Sequence, residues 1–459
     1  MILGVWYMGK SKTVEIDMLH GPLYRKMFIF LVPMVLSSVL QLLFNAADII
    51  VVGRYVGGNA LAAVGATTST VSLIVNFLVG FNVGVNYVVA RDYASGNRGR
   101  VTLDVHTAIL SSLIFSIAMG IIGMAASRLI MELIGTPEEI IDQSARYLTI
   151  YFAGLPGIAL YDAGAAIVRS VGDTRKPMYF LFASGVLNVI LNLFFVIVMD
   201  QGVAGVAYAT TISNYVSCIL MMGSLMRAEQ DLRLHPEKLA INRQCLTEIL
   251  DTGVPCAVQS SMFGITNVLI QSAINSLGTV VIAGSAAACN IENFVYILPN
   301  IAGSTLLTFL SQNVGAKKYS RIELVVKTAL IIGFVLTLTA GIFLAIFGRF
   351  LMGLYSNEAD IIELGAYRLM FIGPMMWMEV FMTGFSSALK GLGKAKESML
   401  ISVCAICGFR ILWLNTVFLV FHTYTVILLS WPVSWVLITA IYIIYYKKVR
   451  DTLPREDMT

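Results

Sequence analysis

The chain has 459 residues, of which 58% are hydrophobic and only 13% charged, with a formal net charge of +4 and a mean hydropathy of +0.81. Soluble domains carry ~25% charged residues, so this composition excludes a soluble enzyme or a nucleic-acid-binding protein and predicts an all-α membrane protein. The six cysteines are scattered, and Cys404 and Cys407 form a lone C-x-x-C; a zinc site needs about four ligands, so these read as small packing residues and no metal site is predicted.

In chain order, residues 1–23 form a basic N-terminal segment in which Lys10 and Lys12 precede Arg25 and Lys26. No A-x-A cleavage site follows a short apolar core there. Hydropathy over a ~19-residue window predicts spans near 24–53, 60–90, 102–127, 139–168, 177–199 and 204–226. A second set lies near 245–275, 280–311, 323–347, 360–389, 398–420 and 424–446. Each suffices to cross ~30 Å of hydrocarbon. The predicted organisation is therefore a six-helix lobe over 24–226, a polar linker over 227–244, a second six-helix lobe over 245–446, and a C-terminal segment over 447–459. Basic residues gather in alternate connections: Arg91/Arg98/Arg100, Arg169/Arg175/Lys176, Arg227/Arg233/Lys238/Arg243, Lys317/Lys318/Arg321 and Lys390/Lys394/Lys396. The positive-inside rule then predicts that both termini and the linker are cytoplasmic.

The two halves resemble each other. "LIGTPEEIIDQSARYL" (133–148) aligns with "LYSNEADIIELGAYRL" (354–369), and Arg100/Arg321, Ile140/Ile361 and Met178/Met399 share one offset, 361 − 140 = 221. Pro33 and Pro255 open the halves at nearly the same spacing, 222. Six spans separate equivalent points, so the lobes have the same orientation and relate by a pseudo-twofold axis along the membrane normal, an arrangement typical of secondary transporters.

Polar residues inside the spans are the candidate site. In "QLLFNAADIIVVGRYVGG", Asp48 lies six residues before Arg54, ~9 Å at ~1.5 Å per residue. Two readings are open: an interfacial acid reaching Arg54 or water, and an acid facing a water-filled cavity in the first lobe, able to take up and release a proton. Asp is too short to snorkel far, and intramembrane acids are functional candidates by default. Asn188 and Asn192 stand one turn apart on one helical face, and Thr210 and Tyr147 add hydrogen-bonding groups on other spans. Each of these alone is more often an interhelical tie than a ligand. Asp162, mid-span in "ALYDAGAAIVRS", is ionisable and joins the candidates. In the second half, Glu292 and Glu379 sit in apolar spans and Arg410 supplies a cation; an acid–arginine pair tying the lobe together competes there with a binding role. Met375, Met376, Trp377 and Met378 read as lobe packing rather than an adaptable cavity. Pro33 and Pro255 lie inside helices, where each removes a hydrogen bond and favours a kink, which membrane helices tolerate. Pro33 shares its helix with Asp48, so protonation could couple to bending.

"VPMVLSSVLQLLFNAADIIVVGRYVGGNALAAVG", "VRSVGDTRKPM" and "LSQNVGAKKYSR" resemble the multidrug and toxic compound extrusion (MATE) family, within it the bacterial branch of DinF-like and MepA-like proteins. The resemblance implies a monomeric carrier in the bacterial cytoplasmic membrane that exports small organic cations in exchange for H+ or Na+. Two rocking lobes would carry this out, with no cofactor beyond the coupling ion and membrane lipid as surroundings. It implies that Asp48 is the first-helix acid that couples the ion, Na+ included, and binds substrate, and that Tyr147, Asn188, Asn192 and Thr210 are polar positions of the same site. Some members carry an acid where this chain has Asn192, and Asp162 stands where Asn is commoner. Glu379 falls on an acid used for Na+ in the NorM-like branch, but its expected partner is replaced by about Phe263, a departure from that branch's second-lobe ion site for which Glu292 is the candidate substitute.

The nearest alternative is a flippase for lipid-linked oligosaccharides of the same superfamily. Its anionic head calls for several cavity arginines, whereas the candidates here are acids opposed by Arg410 alone. "VVARDYASGNRGR" lacks the glycines of the major-facilitator motif, and no H-E-x-x-H, G-x-S-x-G or P-loop supports an enzyme. Export of an endogenous metabolite, or uptake in place of export, stays open.

Overall fold

The computed structural model describes residues 15–228, 231–454 and 457; Lys10 and Lys12 lie outside the described residues. Those described are helical, with no strand among them. The helices are α1 (Leu23–Val51), α2 (Gly58–Ala94), α3 (Arg98–Leu133), α4 (Glu138–Ala153), α5 (Leu155–Ser170), α6 (Arg175–Leu193) and α7 (Gly202–Met226). The second half repeats them as α8 (Arg243–Asn275), α9 (Thr279–Gly315), α10 (Ile322–Gly353), α11 (Ala359–Ile372), α12 (Trp377–Gly391), α13 (Ala395–Ser402), α14 (Gly408–Trp413) and α15 (Tyr424–Arg450).

Among the described residues, ten helical segments are long and apolar enough to cross a membrane. The pairs α4/α5 and α11/α12, bent by 45° and 48°, bring the number to twelve when each is counted as one broken span. The bends fall in "AGLPG" and "IGPMM", where a proline close behind a glycine, Pro156 after Gly154 and Pro374 after Gly373, leaves a donor missing. Neither Pro33 nor Pro255 interrupts its helix.

The internal repeat extends to backbone and burial. Left-handed residues recur 221 apart: Gly57 (φ 115°) and Gly278 (φ 101°), Gly96 (φ 74°) and Lys317 (φ 56°), and Gly172 (φ 104°) and Gly393 (φ 76°). Buried positions do the same. Val206, Ala207, Ala209, Ser213, Ser217, Met221 and Leu225 of α7 become Ile427, Leu428, Ser430, Ser434, Ile438, Tyr442 and Tyr446 of α15. Ser144, Tyr147, Leu148 and Tyr151 of α4 become Gly365, Arg368, Leu369 and Ile372 of α11. A period of 3.6 is what repeats here, the signature of one packed helix face.

The described residues form two compact units, one of 15–17 and 36–250, the other of 18–35 with the residues from Asp251 onward. The membership of α1 thus changes at Leu36, three residues after Pro33, and that of α8 at Asp251, four before Pro255. In the first unit, α2, α3, α5 and α7 bury a core around Val85, Val88, Val105, Ile167 and Met221. Glycines let its helices close up. A Cβ on Gly185 would stand 1.9 Å from the Phe44 ring, and one on Gly123 2.2 Å from that of Phe152.

Candidate functional site

Four helices of the first lobe bring polar side chains to one place. Asp48 lies on α1, Tyr147 on α4, Asn188 and Asn192 on α6, and Thr210 on α7. The Asn192 Nδ2 donates to Asp48 Oδ1 in a short hydrogen bond and lies 3.3 Å from Asn188 Oδ1. Asn188 Nδ2 in turn donates to Thr210 Oγ1 at 3.3 Å, and that hydroxyl donates to Asp48 Oδ2 at 3.5 Å. The four residues thus close a ring around one carboxylate. Asn192 is completely buried and Asn188 is buried. Tyr147, also buried, lies within electrostatic reach of Asp48 and pairs with Tyr151 at 6.4 Å between rings.

Apolar side chains seal the surroundings: Val51, Val52, Val196, Val203, Val206 and Ala207 pack with the two tyrosines. Such a setting makes each polar contact strong and each unmet one costly. Two π-helical turns flank the ring, Val52–Val56 after Asp48 and Phe194–Val198 after Asn192; π-turns of this kind gather at functional sites. Among the described residues Asp48 makes no ion pair, and Arg54 is exposed. Asn192 Oδ1 is buried without a partner, so the site holds one oxygen unused beside the carboxylate.

Asp162 on α5 takes no part in this ring; its electrostatic neighbours are Arg169, Tyr151 and Tyr161. In the second lobe the acid–arginine pair forms, but with a different arginine. Glu292 on α9 accepts from Arg368 on α11 at 2.9 Å and 2.8 Å, not from Arg410. Arg368 also reaches Ser285 at 2.7 Å and lies 5.1 Å from the centre of the Trp431 ring. Arg368 lies inside the predicted 360–389 span and is not among the polar residues that stand out there; its alignment with Tyr147 in the repeat is the signal that points to it. Glu379 on α12 and Arg410 on α14 are both buried and electrostatic neighbours, yet make no hydrogen bond or ion pair with each other.

Repeated lobes of membrane-crossing helices, one holding a carboxylate on uncharged donors in an apolar setting, define a multi-pass membrane transporter. The MatE family model matches the chain twice, over residues 33–194 and 255–414, once per lobe. The chain therefore belongs to the MatE family. Among its relatives, the probable multidrug resistance protein YoeA of Bacillus subtilis is 26% identical over 84% of this chain and 85% of its own length. The FAD transporter of Shewanella oneidensis is 23% identical over 84% and 86%. Two solved structures share the fold with a TM-score of 0.88, covering 97% of this chain and 99% of theirs: a MOP superfamily transporter from Pyrococcus furiosus at 21% identity, and a multidrug resistance MATE family transporter at 20%.

Proposed function

We propose that this protein exports small organic cations in exchange for H+ or Na+, with Asp48 as the group that the two occupants share. The observation that carries the reading is a buried-rim carboxylate held by Asn192 and Thr210 with no cation to neutralise it. A carboxylate so placed favours a positive visitor, whether a proton, a sodium ion or an amine. The oxygens of Asp48, Thr210, Asn188 and Asn192 are the donor type that hard cations take, while the tyrosines Tyr147 and Tyr151 offer ring faces to an organic cation. Multidrug resistance names among the relatives support the same cargo class.

In this reading ion binding at Asp48 expels the cargo on the far side, and loss of the ion restores affinity for it. Exchange requires that the two lobe arrangements differ in affinity for each occupant, since a ligand with equal affinity for both shifts nothing. Residues 24–226 and 245–446 act as the moving lobes of a monomer in the cytoplasmic membrane, joined by the 227–244 linker, with both termini in the cytoplasm. Pro33, three residues before α1 changes unit, is the hinge, with Pro255 as its counterpart. Asp162 contributes as a separate ionisable group on α5. The flippase alternative is disfavoured because Arg368, the additional buried arginine, is already neutralised by Glu292.

The deciding measurement is efflux of a fluorescent cationic dye from inverted vesicles, with pH and sodium gradients imposed separately. Asp48→Asn should abolish dye movement while the protein still folds, and the gradient that drives wild type names the ion. Undiminished efflux by Asp48→Asn would overturn the reading. Pro33→Ala should slow efflux at unchanged expression.

A further inference from the structure

Two buried charged side chains of the second lobe, Arg410 and Glu379, make no hydrogen bond or ion pair among the described residues. Glu292 and Arg368 satisfy each other, but Arg410 is left over. It is 6% exposed, its Nε is sealed off without an acceptor, and among the described residues its guanidinium makes no hydrogen bond or ion pair. Glu379, 8% exposed, also has a buried and unpartnered Oε2. Tyr296 and Cys407 complete the set of groups close to Arg410. What positions the guanidinium is the Trp431 indole, whose ring centre lies 5.7 Å away.

A guanidinium keeps its charge at any working pH, and the buried Nε of Arg410, unused by protein acceptors, favours an oxyanion. Glu379 is near enough to compete for that role yet does not fill it. The backbone supplies a second, independent pointer. Helix α14, which carries Arg410, is bracketed by π-turns at Val403–Cys407 and Leu414–Phe418, as the Asp48 ring is in the first lobe. The repeat places Trp431 at the position of Thr210 in the first-lobe ring, at the offset of 221, so the indole that contacts Arg410 stands where the first lobe has a site hydroxyl.

We infer that Arg410, held by Trp431 and opposed by Glu379, binds the carboxylate of an aromatic compound within the second lobe. This goes beyond cation exchange and does not depend on Asp48. The planar fork of arginine matches a carboxylate bidentately, and the aromatic side chains Trp431 and Tyr296 suit an aromatic body. Glu379 acts as an internal competitor whose carboxylate repels the incoming one.

The test is equilibrium dialysis of radiolabelled 2-naphthoate against the full-length protein in nanodiscs, with 2-naphthamide as the uncharged analogue. Saturable naphthoate binding at least tenfold tighter than naphthamide is expected. Arg410→Gln should weaken naphthoate tenfold or more and leave naphthamide unchanged; Arg410→Lys should recover only part, because a point charge lacks the fork. Glu379→Gln should tighten naphthoate several-fold, and this arm, with Arg410→Lys, decides the matter if Arg410→Gln does not fold. Equal binding of the acid and the amide, no binding of either, or weaker naphthoate binding by Glu379→Gln would overturn the inference; the last would make Glu379 and Arg410 a structural couple.

Discussion

Glu292 and Arg368 meet across α9 and α11 in a two-bond fork, with the acid 0% and the arginine 3% exposed. A pair so deeply placed contributes little net stability against an apolar substitute, but removing one partner strands the other. Glu292→Gln should therefore destabilise the protein by about 3–5 kcal/mol. The double variant Glu292→Gln/Arg368→Gln should recover a large part of that loss. Thermal unfolding in detergent, read for both variants, checks this; equal losses in the single and double variants would refute it.

The spans were legible because hydropathy alone demands them, and the repeat was legible because three residue pairs kept one spacing. The acid ring was largely legible too. Asp48, Asn188, Asn192 and Thr210 stand out as polar residues in apolar runs, and the structure joins them by hydrogen bonds. Which arginine meets Glu292 was not legible. Partner choice depends on helical phase, and the π-turns on either side of α14 shift the phase of Arg410 in a way that no periodicity of 3.6 anticipates. Asp162 was grouped with Asp48 by chemistry alone, and its helix directs it to Arg169 and two tyrosines instead.

Asn192 is the residue through which Asp48 is held to α6. Hydrogen bonds to an ionised group contribute about 1.5–3 kcal/mol, so Asn192→Ala should lower the efficiency of dye efflux by about tenfold or more. Asn188→Ala, which removes a group one bond further from the carboxylate, should cost less. Initial rates over a range of dye concentrations test the order of the two; the reverse order would remove Asn192 from the role.

Helix α10 passes the α11/α12 bend with no room to spare. A Cβ on Gly341 would lie 2.0 Å from the Gly373 carbonyl oxygen, and one on Gly373 2.6 Å from that of Gly341. Both obstacles are backbone, so no rotamer change relieves them. Gly341→Ala should cost at least the ~1–3 kcal/mol typical of overpacking. By contrast, nothing lies within 4 Å of a Cβ on Gly223 in α7, and Gly223→Ala should be neutral or stabilising by up to ~1 kcal/mol. Unfolding midpoints of the two variants should move in opposite directions or at least differ clearly in size.

The start of α8 is fastened by Glu248, which accepts from Arg100 on α3 at 2.6 Å and from Arg91 on α2. Arg91 is shared with Asp92 at 2.6 Å, and the fully buried Asp104 lies 3.8 Å from the Arg100 Nε. Cys245, one turn before Glu248 and 0% exposed, sits against Asp104. The side chains of this cluster are only 17–27% exposed at the two arginines and 26% at Glu248, so salt screens them weakly. Glu248→Gln removes the charge that both arginines face and should let the first turn of α8 open more often, a local event of the kind that sets reactivity of buried groups. Maleimide labelling of Cys245 should accelerate about tenfold, equivalent to ~1.4 kcal/mol of opening free energy. Peptide mapping by mass spectrometry reads Cys245 by itself, and its wild-type labelling rate provides the reference. If Cys245 labels no faster in Glu248→Gln than in wild type, the fastening of α8 resides in its apolar packing and not in the Glu248 ion pairs.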